Sequence, residues 1–409
     1  MKKIIYFSLL FSSVLFGAAY QIPMNSINSF ALAGANVANA NGSDAAYFNP
    51  ANMVYNDNQH EVEGALTFIS VNSVHYASSN GTYNIDSKSD NVVIPSFHYV
   101  SNRLTDNGLR VGFSIVAPAG LSREWTSFPA LPAAEKYALE TIEFNPSIAI
   151  AITKELSIGF GLSYMIATTD ITLNGRMLPH SPPTSLNYNV NIQDAKADAL
   201  AYNLALTYKP TKKLTLATTY RASVNLDFDG AAHAEVNGTV LPTNVSVTAP
   251  IPDSLVFAGA YKFNEETTLE ALLQITMWSR IKEQNFNYSN PTAEAYLGNP
   301  TTKRWRDTYA YRLGLTHQFD KKLTLMAGIA YETDPAEEKY VSYTTAQADS
   351  MTYALGARYS INNKFDIGLS AIYVAFDDRT ATQSSPVGVN GTLSNKGGYG
   401  ITTGVSYKF

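Results

Sequence analysis

Apolar and polar residues alternate with a period of two along most of this chain. In segment 156–166 the apolar set is Leu156, Ile158, Phe160, Leu162 and Tyr164, and small or polar residues stand between them. The same alternation recurs in segments 204–208, 255–263 and 309–315. A period of two is typical of β-strands whose two faces meet different surroundings. The pattern therefore predicts an all-β chain.

Short polar turns and long polar segments alternate between the predicted strands. The short turns begin at Ser101, Thr153, Lys209, Asn264, Asp320 and Asn362. The long segments, rich in Asn, Ser, Thr, Gly and Pro, are 170–197, 226–250, 281–307, 333–349 and 376–396. Bacterial outer-membrane barrels show this asymmetry, with short periplasmic turns and long extracellular loops. The pattern predicts both the fold and its orientation.

The turns divide the chain into fourteen predicted strands. These are residues 59–76, 91–101, 107–118, 142–153, 156–169, 198–209, 212–225, 252–263, 266–278, 308–319, 322–332, 350–360, 363–375 and 397–409. We expect an antiparallel outer-membrane β-barrel, because an even number of strands leaves both ends on the periplasmic side. The last strand ends on the aromatic Phe409, as in the assembly signal of such barrels, and should pair with the first strand near residues 61–75.

The N-terminus has the form of a signal peptide, predicted for residues 1–19. Lys2 and Lys3 precede a short apolar stretch, and Gly17 and Ala19 suit the cleavage site. A membrane anchor is the alternative. Residues 20–58 are too polar to face lipid, and a lumen of fourteen strands is too wide for wall side chains to fill. We therefore predict a small helical hatch over 20–58, rather than a disordered extension, followed by the barrel over 59–409.

Composition narrows the class of protein. Charged residues make up only 15% of the chain, against about 25% in soluble proteins. Beyond the N-terminus no apolar run approaches the ~20 residues of a transmembrane helix. The chain lacks Cys, which excludes disulfides and Cys-based metal sites, and its net charge of −5 argues against nucleic acid as a partner.

The sequence contains no recognisable catalytic or metal-binding motif. The six His residues are scattered and lack metal-binding spacing, and no nucleophile, Walker or Rossmann motif occurs. We therefore expect no enzyme, no metal and no cofactor.

Several motifs resemble the family of FadL-type long-chain fatty-acid transporters, which includes relatives that import toluene and other hydrocarbons (FadL/TodX-like). They are DAAYFNPANM at 44, GFSIVAPAGLSREW at 112, FNPSIAIAITKELSIGFGLSY at 144, LAYNLALTYKPTKKLTL at 200, IPDSLVFAGAYKFNEETTLEA at 251, MWSRIKE at 277 and WRDTYAYRLGL at 305. The resemblance covers nearly the whole mature chain. It implies a fourteen-stranded barrel with an N-terminal hatch.

The resemblance also implies a transport mechanism. Hydrophobic ligand would land in an extracellular groove, move to a lumen pocket gated by the hatch, and leave sideways through the wall. The motif Asn49, Pro50 and Ala51 would lie near an inward kink of the third strand, expected at 117–121. Pro118 and Gly120 suit such a kink, since Pro cannot donate to the ladder and Gly weakens a strand. The alternative is that Pro118 begins an extracellular loop.

Strand phase points several charged residues into the lumen. The predicted inward cations are Arg110, Arg221, Arg312 and Arg358, and the inward acids are Glu61, Glu63 and Glu270. A carboxylate ligand would favour an arginine fork, whereas an Arg–Glu network that supports hatch and wall is the alternative. Candidate apolar ligand contacts are Phe30, Leu32, Phe128, Leu131 and Leu139. Segment 128–141 is predicted to form a short surface helix that catches ligand or shields the rim.

The sequence thus predicts a monomeric outer-membrane transporter of a Gram-negative bacterium. Its partners would be outer-membrane lipid, the barrel-assembly machinery at Phe409, and a long-chain fatty acid or another hydrophobic small molecule. Lateral uptake of fatty acids is the leading prediction. Uptake of neutral or aromatic hydrocarbons is one alternative, and a surface-interaction barrel such as an adhesin or receptor is the other.

Overall fold

Antiparallel strands close into a barrel in the computed structural model, which describes residues 19–177, 186–298, 300–346, 348–383 and 388–409. Within these residues the wall has fourteen strands, as predicted. They are β1 (Glu61–Val71), β2 (Asp90–Val100), β3 (Arg110–Val116, continued by Gly120–Glu124), β4 (Lys136–Ala151), β5 (Leu156–Met177), β6 (Leu186–Tyr208), β7 (Leu214–Arg221, continued by Val224–Val236), β8 (Thr239–Ile251, continued by Ser254–Lys262), β9 (Thr267–Thr276), β10 (Thr308–Gln318), β11 (Leu323–Glu332), β12 (Ser350–Asn362), β13 (Phe365–Phe376) and β14 (Gly397–Lys408).

The barrel closes between its first and last strands. Pairing of β1 with β14 runs from Glu61 opposite Lys408 to Val71 opposite Gly398. The predicted seam is therefore confirmed, and closure leaves neither β1 nor β14 with a free edge.

The two faces of the wall separate as the alternation predicts. On β5, Ile158 and Phe160 are exposed on the outside, whereas Ser157 and Ser163 are buried toward the interior. Apolar side chains facing outward are what a lipid-embedded barrel requires.

Strands β5 to β8 extend further than the sequence predicted. Segments 170–197 and 226–250 were expected to be loops, but β7 and β8 pair without a break from Val224 opposite Ile251 to Val236 opposite Thr239. Their Asn, Asp and Gly residues have low β-propensity, yet the shared ladder satisfies the backbone. The wall is therefore taller on this side. Residues 178–185, at the tip between β5 and β6, lie outside the described residues.

Helices are few and short. The α-helices are α1 (Ile27–Ala31), α2 (Ala45–Phe48), α3 (Leu131–Ala134) and α4 (Pro291–Leu297), and the 3-10 helices are Pro50–Tyr55, Trp278–Arg280 and Glu338–Tyr340. No described helix is long and apolar enough to cross a membrane. The predicted surface helix over 128–141 is wrong beyond Ala134, because the chain pairs with β5 from Lys136 onward.

Long connections gather at one end of the barrel, the long-loop end, and tight turns at the other, the short-turn end. The loops form two small sheets there. One contains Arg379–Thr382, Asn390–Ser394, His75–Ser78 and Asn84–Asp86, and the other pairs Glu283–Gln284 with Thr301–Thr302. A short strand, Phe286–Tyr288, pairs antiparallel with β8 from Val245 to Val247.

The hatch, residues 20–58, lies inside the wall. Of residues 19–56 only Asn41 is exposed. Glycines on the inner wall leave room for it: a Cβ on Gly328 would lie 2.1 Å from the carbonyl carbon of Leu32, and one on Gly159 would lie 2.5 Å from the nitrogen of Ala51. The wall is thus shaped for this segment. Residues 1–18 lie outside the described residues, so the signal peptide and these domain boundaries stay predictions.

Candidate functional site

Strand β3 is interrupted at residues 117–119. Val116 pairs with Glu143 on one side of the interruption, and Gly120 pairs with Glu140 on the other. Three residues of β3 therefore face two of β4, which is a β-bulge. The Thr141 hydroxyl stabilises it, because it accepts from the Ala119 N–H at 3.1 Å and donates to the Ala119 carbonyl at 2.5 Å.

The interruption opens a gap in the wall between β2 and β3. Their pairing ends at Phe97 opposite Ile115, and the next bridge joins Ser87 to Trp125. Between these points, all within the described chain, neither strand pairs with the other; we call this the β2–β3 gap. The interruption lies in the predicted range 117–121. Since β3 continues beyond it, Pro118 does not begin the loop.

The start of the hatch pairs with β3 at this gap. The Ile22 N–H donates to the Pro118 carbonyl at 2.8 Å, and the Gly120 N–H donates to the Tyr20 carbonyl at 2.8 Å. Gln21 forms an antiparallel bridge with Ala119. Tyr20 to Ile22, hereafter the gap segment, therefore takes the place of a neighbouring strand. Sequence reasoning missed it, because three residues bonded through their backbone carry no periodic signal.

The motif Asn49, Pro50 and Ala51 attaches the hatch elsewhere. Asn49 Nδ2 donates to the Val37 carbonyl at 2.8 Å and to Thr207 Oγ1 at 2.9 Å. The Ser157 hydroxyl donates to the Ala51 carbonyl at 2.9 Å. These contacts lie on β5 and β6. Among the described residues, the hydrogen bonds of the interruption go to the gap segment and Thr141 rather than to this motif. The expected position of the motif near the kink stays a prediction.

Glu270 fixes the middle of the hatch to β9. Its carboxylate accepts the backbone N–H groups of Val37, Ala38 and Asn39 at 2.7, 2.8 and 2.9 Å. Consecutive amides around an anion form a nest, and bonds to a charged acceptor are stronger than neutral ones. The core of the hatch is thus held by the wall independently of the gap segment.

Two cavities lie on either side of the gap segment. The first, the lumen cavity, measures about 120 Å³, and Gln21, Ile22, Pro50, Pro118, Arg221 and Arg312 are among its lining residues. The second, the loop cavity, measures about 40 Å³ and lies under the long loops. Tyr20, Leu121, Leu139, Ile281, Lys303 and Trp305 are among the residues that line it. The gap segment therefore contributes to both.

Residues 8–409 match the family described as Outer membrane protein transport protein (OMPP1/FadL/TodX). The chain belongs to this family. A long-chain fatty acid transport protein of Escherichia coli O6:H1 is 25% identical over 313 residues, which cover 69% of each chain. Outer membrane protein P1 of Haemophilus influenzae is 22% identical over 340 residues, covering 77% of this chain and 72% of the relative.

Solved structures show the same fold. A FadL homologue of Pseudomonas aeruginosa is similar with a TM-score of 0.84 at 16% identity, covering 96% of this chain and 100% of that one. The toluene transporter TodX of P. putida is similar with a TM-score of 0.73 at 18% identity, covering 94% and 98%. At such identities the likeness concerns the fold.

Membership of the OMPP1/FadL/TodX family settles the location and the broad role. The protein is an outer-membrane transporter of hydrophobic compounds, as expected for a Gram-negative bacterium, and the family is one of transporters and channels rather than enzymes. The long-loop end is then extracellular. Family membership also sets aside the surface-interaction barrel. The monomeric state and the role of Phe409 in assembly stay predictions.

Two of the predicted arginines face the lumen cavity of this FadL-family barrel. Arg221 donates to Glu143 at 2.7 Å and lies 4.2 Å from the ring centre of Tyr47. Arg312 donates to the Ala33 carbonyl at 3.1 Å and to Glu332 at 3.4 Å. Both bind hatch and wall together.

The other two arginines lie away from the lining of both described cavities. Arg110 donates to the carbonyls of Ser101, Asn56 and Asp57 near the short-turn end. Arg358 donates to Glu63, Asn28 and Ser406. All four arginines therefore have protein partners, which favours the network interpretation over a free arginine fork.

The predicted apolar contacts are scattered. Leu139 lines the loop cavity. Phe30 and Leu32 are buried against inner-wall glycines, and Phe128 is 37% exposed, with its ring centre 5.5 Å from that of Tyr83. Leu131 begins α3 and is half-buried. Among these five, Leu139 alone lines either of the two described cavities, so a ligand role for the others stays a prediction.

Proposed function

We propose that this protein takes up long-chain fatty acids and releases them sideways into the outer membrane through the β2–β3 gap. The observation that carries the proposal is the gap segment, which fills the interruption of β3 and lines both cavities. Tyr20 lines the loop cavity, whereas Gln21 and Ile22 line the lumen cavity. Ligand that moves from one cavity to the other must displace the gap segment. When the gap segment withdraws, the backbone groups of Pro118 and Gly120 lose their hydrogen bonds to it.

Opening the gap breaks the two backbone hydrogen bonds that hold the gap segment to Pro118 and Gly120, each worth about 0.5–1.5 kcal/mol net. It also moves the side chains of Tyr20 and Ile22, which are 7% and 4% exposed, out of their buried positions. Ligand binding supplies this energy when it shifts the equilibrium between filled and open gap. The outward residues Val93 and Phe97 on β2 are exposed and apolar. A hydrophobic ligand that leaves beside them enters lipid without crossing water.

A deletion strain tests the function. Uptake of labelled oleate should fall on deletion and return with the wild-type gene, while labelled toluene measures the neutral alternative. Unchanged uptake of fatty acids, alkanes and aromatics alike would contradict the proposal.

The lateral exit has its own test in Pro118→Val combined with Gly120→Val. Restoring a backbone donor and strand propensity at the interruption favours pairing with β2, so uptake should fall while the barrel still assembles, as judged by heat-modifiable migration. Gly64→Val is the matched control, because an added Cβ there has no neighbour within 4 Å. Undiminished uptake by the double variant would count against the exit.

A further inference from the structure

Alternate residues of β2 face its two neighbouring strands. Directly after β2, the Ser101 N–H donates to the Val111 carbonyl of β3 at 2.9 Å. β2 keeps one register against β1 from Asp90 to Val100, so no bulge breaks the alternation. In an antiparallel ladder every second residue bonds to the same neighbour. The residues of β2 whose backbone groups face β3 are therefore Asn91, Val93, Pro95, Phe97 and Tyr99.

Pro95 lies where the pairing between β2 and β3 stops. The last pair joins Phe97 to Ile115. The next residues that would exchange backbone hydrogen bonds are Pro95 and Ala117, because hydrogen-bonded pairs recur at every second residue. Pro has no backbone N–H, so Pro95 cannot donate to the Ala117 carbonyl. The β2–β3 gap thus begins at the residue of this edge that lacks a donor.

Beyond Pro95, this edge of β2 has no neighbour in the described chain until the loops begin. The Asn91 N–H donates to the preceding side chain, at Asp90 Oδ1, over 2.8 Å. The gap segment forms its backbone hydrogen bonds with β3 rather than with β2. Bonding to β3 returns where the Lys88 N–H donates to the Glu124 carbonyl at 2.8 Å. The hatch therefore holds one side of the gap, and an unpaired edge of β2 forms the other.

Another proline inside a wall strand, Pro146 of β4, has its missing donor replaced. The Ile152 N–H, directly after β4, donates to the Leu156 carbonyl of β5 at 2.8 Å, so alternate residues back to Pro146 face β5. The register places Pro146 opposite Leu162. The Leu162 carbonyl accepts from Asn145 Nδ2 at 3.4 Å instead, and β4 pairs with β5 on both sides of this point. A proline therefore leaves the wall closed where a neighbouring side chain supplies the donor.

We propose that Pro95 sets the closed end of the lateral exit, because it prevents β2 and β3 from pairing beyond Phe97 and Ile115. Within the described residues, no side chain donates to the Ala117 carbonyl in its place. The inference rests on the proposed function and deepens it, since it names the residue of β2 that controls how far the exit extends. Pro95 is a positioning residue, because it acts through strand pairing rather than by contact with the ligand.

The test is Pro95→Val, which restores the donor and keeps an apolar side chain that favours strands. The amide introduced at position 95 should donate to the Ala117 carbonyl, so the closed end moves two residues, about 7 Å, along the strands. Labelled-oleate uptake per folded barrel should fall roughly 3- to 10-fold, because the exit is shorter and opens against an added hydrogen-bonded pair. The temperature at which the barrel unfolds, read from heat-modifiable migration, should rise.

Hydrogen exchange on the purified protein separates this role from a purely structural one. In Pro95→Val the amide at position 95 should be protected from exchange, as a paired strand amide is. A residue that only supports the fold would lower the unfolding temperature when replaced and leave uptake per folded barrel unchanged. Pro95→Ala adds the same donor without a branched side chain and should act in the same direction. Pro146→Val is the matched control and should leave uptake unchanged, because Asn145 already supplies a donor there.

Three results would overturn the inference. They are an amide at position 95 that exchanges freely in both Pro95 variants, full uptake by a variant in which that amide is protected, and an equal loss of uptake in Pro146→Val. Each leaves the proposed function standing if the deletion strain still loses oleate uptake, whereas normal uptake in that strain defeats the function itself.

Discussion

Two interruptions of described wall strands, one at Pro118 and one at Pro252, are closed differently. In β3 the interruption at 117–119 shifts the register by one residue against β4. In the β7–β8 pair the interruption at 222–223 and 252–253 keeps the register, with Arg221 opposite Ser254 and Val224 opposite Ile251. The β3 interruption therefore leaves one extra residue whose backbone needs hydrogen-bond partners from outside β4. The β7–β8 interruption leaves no extra residue.

The partners that satisfy each interruption also differ. Asp253 Oδ1 accepts from the Tyr220 hydroxyl at 2.7 Å and from the Ser223 N–H at 2.9 Å, and Arg280 pairs with the other oxygen. These partners belong to the wall and its loop. The β3 interruption is satisfied by the gap segment, near the start of the hatch. Under the proposed lateral exit, a break in a strand serves as a gate only where the segment that satisfies it can withdraw without disrupting the wall.

The largest expected effect comes from locking the gap segment. Gln21→Cys with Ala119→Cys should form a disulfide, since facing Cα atoms of antiparallel strands lie at distances that the bond allows and the chain has no other Cys. The gap then cannot open, so labelled-oleate uptake should be abolished when oxidised and recover on reduction.

A disulfide in the closed seam is the control for that lock. Thr67 and Thr402 face each other across β1 and β14, with hydroxyl oxygens 2.8 Å apart. Thr67→Cys with Thr402→Cys should leave uptake unchanged in both redox states. Full uptake by the oxidised Gln21–Ala119 pair would show that the gap is no gate.

The second-largest expected effect is a loss of stability at the β7–β8 interruption. Asp253→Ala removes two hydrogen bonds to a buried carboxylate, so the free energy of unfolding should fall by roughly 2–4 kcal/mol, measured by urea titration of folded barrel. Uptake per folded molecule should not change. Asp253→Asn keeps an acceptor and should lose less. Impaired transport in folded Asp253→Ala would mean that both interruptions gate.

The comparison also shows which features a single sequence reveals. Strand number and the seam at Glu61 and Lys408 were predictable, because the alternation of faces is local and repeats in every strand. Pro118 and Gly120 marked the β3 interruption for the same local reason. Nothing in the sequence separated it from the Pro252 interruption, because the difference lies in which distant segment supplies the hydrogen bonds.

The burial of side chains in the long loops could not be predicted from local sequence patterns either. Lys303 stands among 29 Lys and Arg residues, and its burial in the loop cavity depends on how several loops pack together. Leu139 was predicted as an apolar ligand contact in the loop after the third strand, and it lines the same cavity. Residue type thus pointed to the neighbourhood, whereas the chemistry of the site required the fold.

The smallest expected effect separates the core of the hatch from the gap segment. Gly328→Ala would place a Cβ 2.1 Å from the Leu32 carbonyl carbon, so the end of α1 must shift away from β11. Amide exchange of residues 32–35 should rise roughly tenfold, equivalent to about 1.4 kcal/mol of local stability. Gly64→Ala, where the added atom meets open space, is the control.

Because Glu270 and the gap segment hold the hatch elsewhere, amide exchange at Ile22 should not change. An equal rise in amide exchange at Ile22 would mean that the hatch moves as one body. The gap would then open only when the whole hatch moves.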